Sequence, residues 1–143
     1  MHTLIEEARK EIILVVFAIY DGKRFFEPLA RKMEKQPGLK VRFCLNIPRK
    51  PTDTSLDSEV VKRFVKEFRD KHWPWETLPE VYYDPRSLSL DPTQRASLHA
   101  KCMIVDRQTA LVTSANFTEA AQYRNIEAGV IVRHAPFVQR TAS

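Results

Sequence analysis

Residues 11–20 read EIILVVFAIY, and this run limits the possible folds more than any other stretch. A near-continuous apolar run suits a strand buried on both faces, which requires a sheet covered on each side. Asp21-Gly22 breaks it. From 23 to 36, Phe25, Leu29 and Met33 recur every four residues with Phe26 and Ala30 beside them. That spacing predicts an amphipathic helix, with Pro28 tolerated in its early turns. Pro37-Gly38 ends the helix, and residues 39–47 (LKVRFCLNI) read as the next strand. Strand, helix, strand in this order predicts a β-α-β unit with a right-handed crossover. Residues 3–10 look like the tail of a preceding helix. The pattern begins abruptly there, as it would in a fragment of a longer chain.

The chemistry-bearing residues are concentrated later. Residues 98–105 (LHAKCMIV) and 110–114 (ALVTS) read as two strands joined by the turn DRQT, an antiparallel hairpin. With a loop of four residues, Val105 faces Ala110. That register sets Lys101 opposite Ser114 and His99 opposite Asn116, all on one face. A slip of one residue would undo the coincidence. One histidine alone is usually a satisfied core residue. A lysine, a serine and an asparagine on the same face are harder to bury, because each needs a partner. Together they suit phosphate chemistry: Lys and Asn hold non-bridging oxygens, and His attacks phosphorus or moves a proton. Asp106 lies seven residues beyond His99 along a strand, roughly 23 Å away, too far to orient its ring. Asp106 is expected to fix the DRQT turn. Glu127, at the start of the apolar stretch AGVIVR, is the candidate to hold the imidazole.

His99-x-Lys101-x4-Asp106 resembles the HxKxxxxD motif of the phospholipase D superfamily. Thr113-Ser114-Ala115-Asn116 is similar to the family's GSxN element, with Thr in place of Gly, and Asn125-Ile126-Glu127 to its N-x-E element. The resemblance implies an α/β domain, a mixed sheet flanked by helices. It implies a phosphodiesterase that works through a phosphohistidine intermediate with no metal and no cofactor. It also implies two motifs meeting at one site. This chain carries one motif among its 4 histidines, so two His99 residues of a homodimer, or a missing half, are expected to share the site. The stretch TSANFTEAAQYRNIEAG is also similar to phospholipase D-like proteins of anti-phage defence, including DISARM systems.

Composition narrows the class. At 143 residues one domain is expected, large enough for a core. A net charge of +5 favours an acidic partner such as nucleic acid, although a solvated basic surface explains it as well. Cys44 and Cys102 sit in apolar runs and read as buried free thiols of a cytoplasmic protein. Residues 12–20 are too short to cross a bilayer, and the acidic residues before them are wrong for a signal peptide. Lys101 is no metal ligand, and His99 has no ligating companion in the sequence pattern. With 3 glycines and no P-loop, nucleoside-triphosphate hydrolysis lacks its cradle. Nuclease is therefore the leading reading. The alternatives are a phospholipid head-group hydrolase and a non-catalytic nucleic-acid-binding subunit.

Arg49 and Lys50, in the loop after residue 47, and Arg86 and Arg95, in a polar loop leading to His99, are candidate substrate-phosphate contacts. Leu56, Val60, Phe64 and Phe68 form a helical stripe with Val61 and Val65 beside it. Trp73-Pro74-Trp75 more plausibly packs a helix end than offers a stacking platform for bases. Residues 80–83 read as a short strand. Thr118 can cap a short helix over 119–124. Residues 136 onward look like a frayed terminus, and His2, His72 and His134 like surface or packing histidines.

Overall fold

The computed structural model describes residues 1–116, 126–133 and 135–141. The expected helix at 119–124, its cap Thr118, Asn125 and His134 lie outside the described residues. The elements run α1 (His2–Glu7), β1 (Glu11–Val16), α2 (Gly22–Lys35), β2 (Lys40–Leu45) and α3 (Asp57–Glu67). A π-helical turn (Phe68–His72), β3 (Glu80–Tyr83) and a 3-10 turn (Pro85–Leu88) follow. The chain closes with β4 (Cys102–Val105), β5 (Thr109–Thr113), β6 (Gly129–Val132) and α4 (Ala135–Thr141). One mixed sheet of six strands results, ordered β3-β2-β1-β4-β5-β6. β1, β2 and β3 are parallel, and β4, β5 and β6 are added antiparallel. The first β-α-β unit is where the apolar periodicity puts it, and β2, α3 and β3 build a second one.

The run 11–20 is strand only to Val16; the remaining residues leave the sheet as a loop. Alternate residues of β1 serve two cores. Ile12, Leu14 and Val16 join Val41, Phe43, Leu45, Met103 and Val105 beneath α1, α2 and the π turn. Ile13 joins Ile104 and Ala110 on the other face, under Val138 of α4. Residues 135–141 are thus a docked helix and not a frayed end, because Val138 is fully buried. Trp73 is also fully buried, stacked on Phe68 and edge-on to Phe43, with Nε1 donating to the Thr77 carbonyl at 2.9 Å. Its role is packing. The stripe on α3 is narrower than the sequence suggests: Val60 and Phe68 are buried, while Leu56 and Val65 face solvent.

The hairpin register differs from expectation by one residue. Val105 pairs with Thr109, not Ala110, so Cys102 faces Val112. The loop is one residue shorter than assumed. Asp106 and Arg107 both take left-handed backbone, φ 51° and 55°, and the Gln108 N–H closes onto the Val105 carbonyl at 3.0 Å. Two consecutive left-handed residues give a tight turn whose twist matches the strands, at a strain of about 1–2 kcal/mol per non-glycine residue. The strands are also shorter than predicted. β4 begins at Cys102 and β5 ends at Thr113, so His99 and Lys101 lie in the irregular chain entering the sheet.

Asp106 does more than shape its turn. Its carboxylate accepts the backbone N–H groups of Arg9 (2.8 Å), Lys10 (2.7 Å) and Glu11 (2.8 Å), and its own N–H donates to the Glu11 carbonyl at 2.9 Å. Partial burial pushes the carboxyl pKa up, but the N–H groups of Glu11, Arg9 and Lys10 outweigh it and hold the pKa below the ordinary value. Glu11 completes the junction, pairing with Arg42 at 2.6 Å and Arg107 at 2.8 Å. The hairpin is thereby tied to the start of β1, at the end of the sheet remote from His99.

Candidate active site

Strand directions gather the candidate residues at one end of the sheet. Val15 of β1 pairs with Cys102, so Phe17, just past β1, lies beside the chain that carries Lys101 into β4. Leu45 pairs with Val16, which brings Asn46 to the same end. Thr113 pairs with Gly129, so Ser114 and Glu127, just outside those strands, are neighbours there too. Adjacent strands are about 4.8 Å apart, so the end of a sheet concentrates groups that are distant in sequence.

His99 and Lys101 form one cluster. The Lys101 ammonium donates to the His99 carbonyl at 3.0 Å and faces its Nδ1 at 3.4 Å. It also lies 5.3 Å from the centre of the Phe17 ring, and that ring packs against the imidazole with centroids 4.4 Å apart. Lys101 is only 9% exposed, a position an ammonium rarely holds without a strong partner. Here it has a carbonyl, a ring nitrogen and an aromatic face, and no carboxylate among the described residues. A cation so placed is available to an anionic ligand. Because an ammonium only donates, Nδ1 of His99 accepts, and the proton of the neutral ring sits on Nε2.

Ser114 and Glu127 form a second cluster. The Ser114 hydroxyl donates to the Glu127 carboxylate at 2.6 Å and accepts the Ala128 N–H at 3.0 Å, while the Ser114 N–H donates to the Ala128 carbonyl at 2.9 Å. Thr113, where the family element has Gly, sits in regular strand; its hydroxyl accepts the Ala115 N–H at 3.0 Å. Asn116 follows, and its Oδ1 is buried with no hydrogen-bond partner among the described residues. A buried amide oxygen left unpaired costs on the order of 1–3 kcal/mol. Rotating the amide by half a turn presents its NH2 at the same place, a donor for an incoming oxygen.

The observed register sets Lys101 against Thr113, whose N–H donates to the Lys101 carbonyl at 3.1 Å. The expected facing pairs, Lys101 with Ser114 and His99 with Asn116, are therefore not formed. What unites these residues is the sheet end, not a shared strand face.

The arginines divide differently. Arg49 is buried, and its guanidinium donates to the carbonyls of Leu88 (2.6 Å), Asp53 (2.9 Å) and Ser55 (2.7 Å) and to the Asp57 carboxylate (2.5 Å). It locks the loop after β2, with four of its five N–H groups engaged within the protein. Arg86 folds back on Asp84 at 2.6 Å, and Arg95 donates to the Ser89 carbonyl at 2.8 Å. Lys50 is exposed and lies beside α3 with Asp53 and Arg63. Two residues that the sequence reading passed over belong to the site. Phe17 packs the imidazole, and Asn46 accepts the Leu98 N–H at 3.2 Å, holding the strand entrance in place. The β-α-β pattern held the signal, since it puts the ends of β1 and β2 side by side.

Burial raises the thiol pKa values of both Cys44 and Cys102, which fits inert packing cysteines. Among the described residues no three His, Cys, Asp or Glu side chains gather as a metal-holding group. No helix among them is long and apolar enough to cross a membrane.

Known structures share this architecture. NucT from Helicobacter pylori superposes with a TM-score of 0.62 at 11% identity, covering 99% of this chain and 79% of that one. Nuc from Salmonella typhimurium, a phospholipase D family member, gives 0.62 at 20% identity, covering 99% and 78%. Phosphatidylserine synthase from Haemophilus influenzae gives 0.68 at 16% identity, covering 99% of this chain but 32% of that one. A comparison with curated proteins found no match. The family model described as "Cardiolipin synthase, PLD-like domain" matches residues 1–143. The chain thus belongs to the phospholipase D-like family along its whole length.

Proposed function

We propose that this protein is a phosphodiesterase, acting on nucleic acid through a phosphohistidine at His99, with two copies of the chain sharing one site. The observation that carries it is the buried Lys101 ammonium held against the His99 ring with no carboxylate partner among the described residues. A substrate phosphate would supply the missing anion. As Lys101 turns onto a non-bridging oxygen it releases Nδ1. The ring proton can then reside on Nδ1, with Glu127, braced by Ser114, as its acceptor, and Nε2 becomes the nucleophile. Phosphate binding and activation of the nucleophile are coupled in this way. Asn116, whose Oδ1 has no partner among the described residues, is the second donor to the phosphoryl oxygens once its amide is turned.

The steps balance with a second histidine. Nε2 of His99 bonds to phosphorus while the phosphorus–oxygen bond to the leaving group breaks. His99 of the second copy, doubly protonated as the imidazolium, gives its Nε2 proton to the leaving oxygen and is left neutral. Water then attacks phosphorus, losing a proton to that same histidine, and the phosphorus–nitrogen bond breaks. A homodimer supplies both histidines from one motif.

Nucleic acid ranks first as substrate because the chain spans nearly four-fifths of the two Nuc-type structures and carries a charge of +5. Phosphatidyl transfer or hydrolysis is the second reading. It is favoured by the cardiolipin-synthase description of the family and by the synthase fold match. A role in anti-phage defence rests on the similarity of the TSANFTEAAQYRNIEAG stretch. The test is one panel: labelled single- and double-stranded DNA and RNA beside phosphatidylcholine and phosphatidylglycerol vesicles, all in excess EDTA. Cleavage of a nucleic acid under chelation is expected. Turnover of lipid alone would reverse the ranking. Salt-dependent DNA binding with no turnover of anything would leave a binding subunit.

A further inference from the structure

Beside the His99 cluster a cavity of about 370 Å³ opens between the loop after β1 and the π-helical turn that ends α3. Its walls include Phe17, Tyr20, Asn46, Phe64, Glu67 and His72. The rim at Phe17 is also the surface on which the His99 ring rests. Phe17 thus borders both the cavity and the Lys101 ammonium, which lies 5.3 Å from its ring centre. We propose that it is a base-binding subsite that takes the nucleobase next to the scissile phosphate; this rests on the phosphodiesterase reading above.

The walls have the chemistry such a ring needs. Phe17, Phe64 and the 72%-exposed Tyr20 offer flat apolar surface, and Tyr20 can close over a bound ring. The polar groups differ in kind. Asn46 uses its Oδ1 on the Leu98 N–H and Ser97 hydroxyl, and among the described residues nothing accepts from its amide nitrogen. His72 accepts the Gly22 N–H on Nδ1 at 3.2 Å, which leaves its ring proton on Nε2. Burial lowers its pKa, so the ring stays neutral at pH 7. Glu67 accepts from Lys71 at 2.9 Å through one carboxylate oxygen and brings the other as an acceptor. Donors and an acceptor set into a mainly apolar lining suit the edge and faces of a base.

The wall is also built with care. A Cβ on Gly22 would stand 2.5 Å from Cβ of His72, so only glycine lets the π turn close against the start of α2. The π turn, Phe68–His72, closes α3 and carries His72 as its last residue, against the start of α2.

The test needs no cleavage. Binding of the four ribonucleoside 5′-monophosphates, of ribose 5-phosphate and of dihexanoyl phosphatidate is measured by calorimetric competition on the full chain. These are monoesters, so the result stands apart from the diesterase panel. At least one nucleotide should bind about tenfold tighter than ribose 5-phosphate. Tyr20→Ala should erase that ratio while leaving ribose 5-phosphate affinity unchanged, and Tyr20→Phe should keep it. Equal affinities for nucleotides and ribose 5-phosphate, or a ratio untouched by Tyr20→Ala, would overturn the proposal. Phosphatidate binding tighter than every nucleotide would do so as well, by assigning the cavity to an acyl chain.

Discussion

Removing the Asp106 carboxylate should cost stability and spare the chemistry, although Asp106 is the last letter of the family's motif. Three backbone N–H groups converge on it, those of Lys10 and Glu11 on one oxygen and that of Arg9 on the other. In Asp106→Ala the exposed Arg9 and Lys10 N–H groups can turn to water, but the part-buried Glu11 N–H cannot do so fully. Counting about 1–3 kcal/mol for that group and a few tenths for each of the others gives about 2–4 kcal/mol. In Asp106→Asn one amide oxygen can still accept from Lys10 and Glu11, and Asn tolerates the left-handed φ of 51°, so about 1–2 kcal/mol is expected. At about 3 °C per kcal/mol for a chain of this size, the melting temperatures should fall by roughly 6–12 °C and 3–6 °C. The pH dependence follows from the lowered folded-state pKa. The wild-type advantage over Asn is fully present above the unfolded carboxylate range near pH 4. It fades as pH falls through the lower folded value. Thermal melts from pH 7 to pH 2, with turnover per folded molecule at pH 7, are the assay. An Asp106→Ala protein as stable as wild type but catalytically dead would refute the reasoning.

Three further outcomes follow from the geometry. Lys101→Met should lower turnover by about 10²–10³-fold without lowering the melting temperature, since a buried ammonium with no carboxylate partner among the described residues is replaced by an apolar chain; activity within tenfold of wild type would contradict its role. Gly22→Ala should cost about 1–3 kcal/mol in a urea titration, because the new methyl meets Cβ of His72 and Cγ2 of Ile19; wild-type stability would show that the π turn moves freely. Mixing His99→Ala chains with wild-type chains under subunit exchange should reduce activity with the square of the wild-type fraction; a linear fall would rule out a shared site.

The sequence carried the architecture through periodicity. Apolar alternation and four-residue spacing placed α2 and β2 within two residues and the start of β1 at Glu11, where flanking layers enforced the pattern, as at Leu29 and Met33, but ran β1 four residues past its end at Val16. It failed where backbone, not hydrophobicity, decided. The turn at Asp106-Arg107 contains no glycine, so nothing announced two left-handed residues, and one residue of loop length shifted the hairpin register. Asp106 itself was half legible: strand length kept it from His99, but its partners at Arg9 to Glu11 are a tertiary contact with no local signal. Arg49 looked like a phosphate ligand because a loop arginine after a strand usually points outward; three carbonyls and Asp57 draw it inward. Val138 shows the same limit, since a short terminal segment becomes a helix only when a sheet face is there to receive it.

The most direct test of a phosphohistidine at His99 is to trap it. Wild-type protein is mixed with a phosphodiester carrying labelled phosphate and quenched in alkali within the first turnovers, where a phosphorus–nitrogen bond survives and a serine or aspartyl phosphate does not. Peptide mapping should place base-stable, acid-labile label on the peptide containing His99, and His99→Ala should carry none and have lost at least about 10⁴-fold in turnover. A folded His99→Ala protein that still cleaves the substrate, or label on any other residue, would contradict the account.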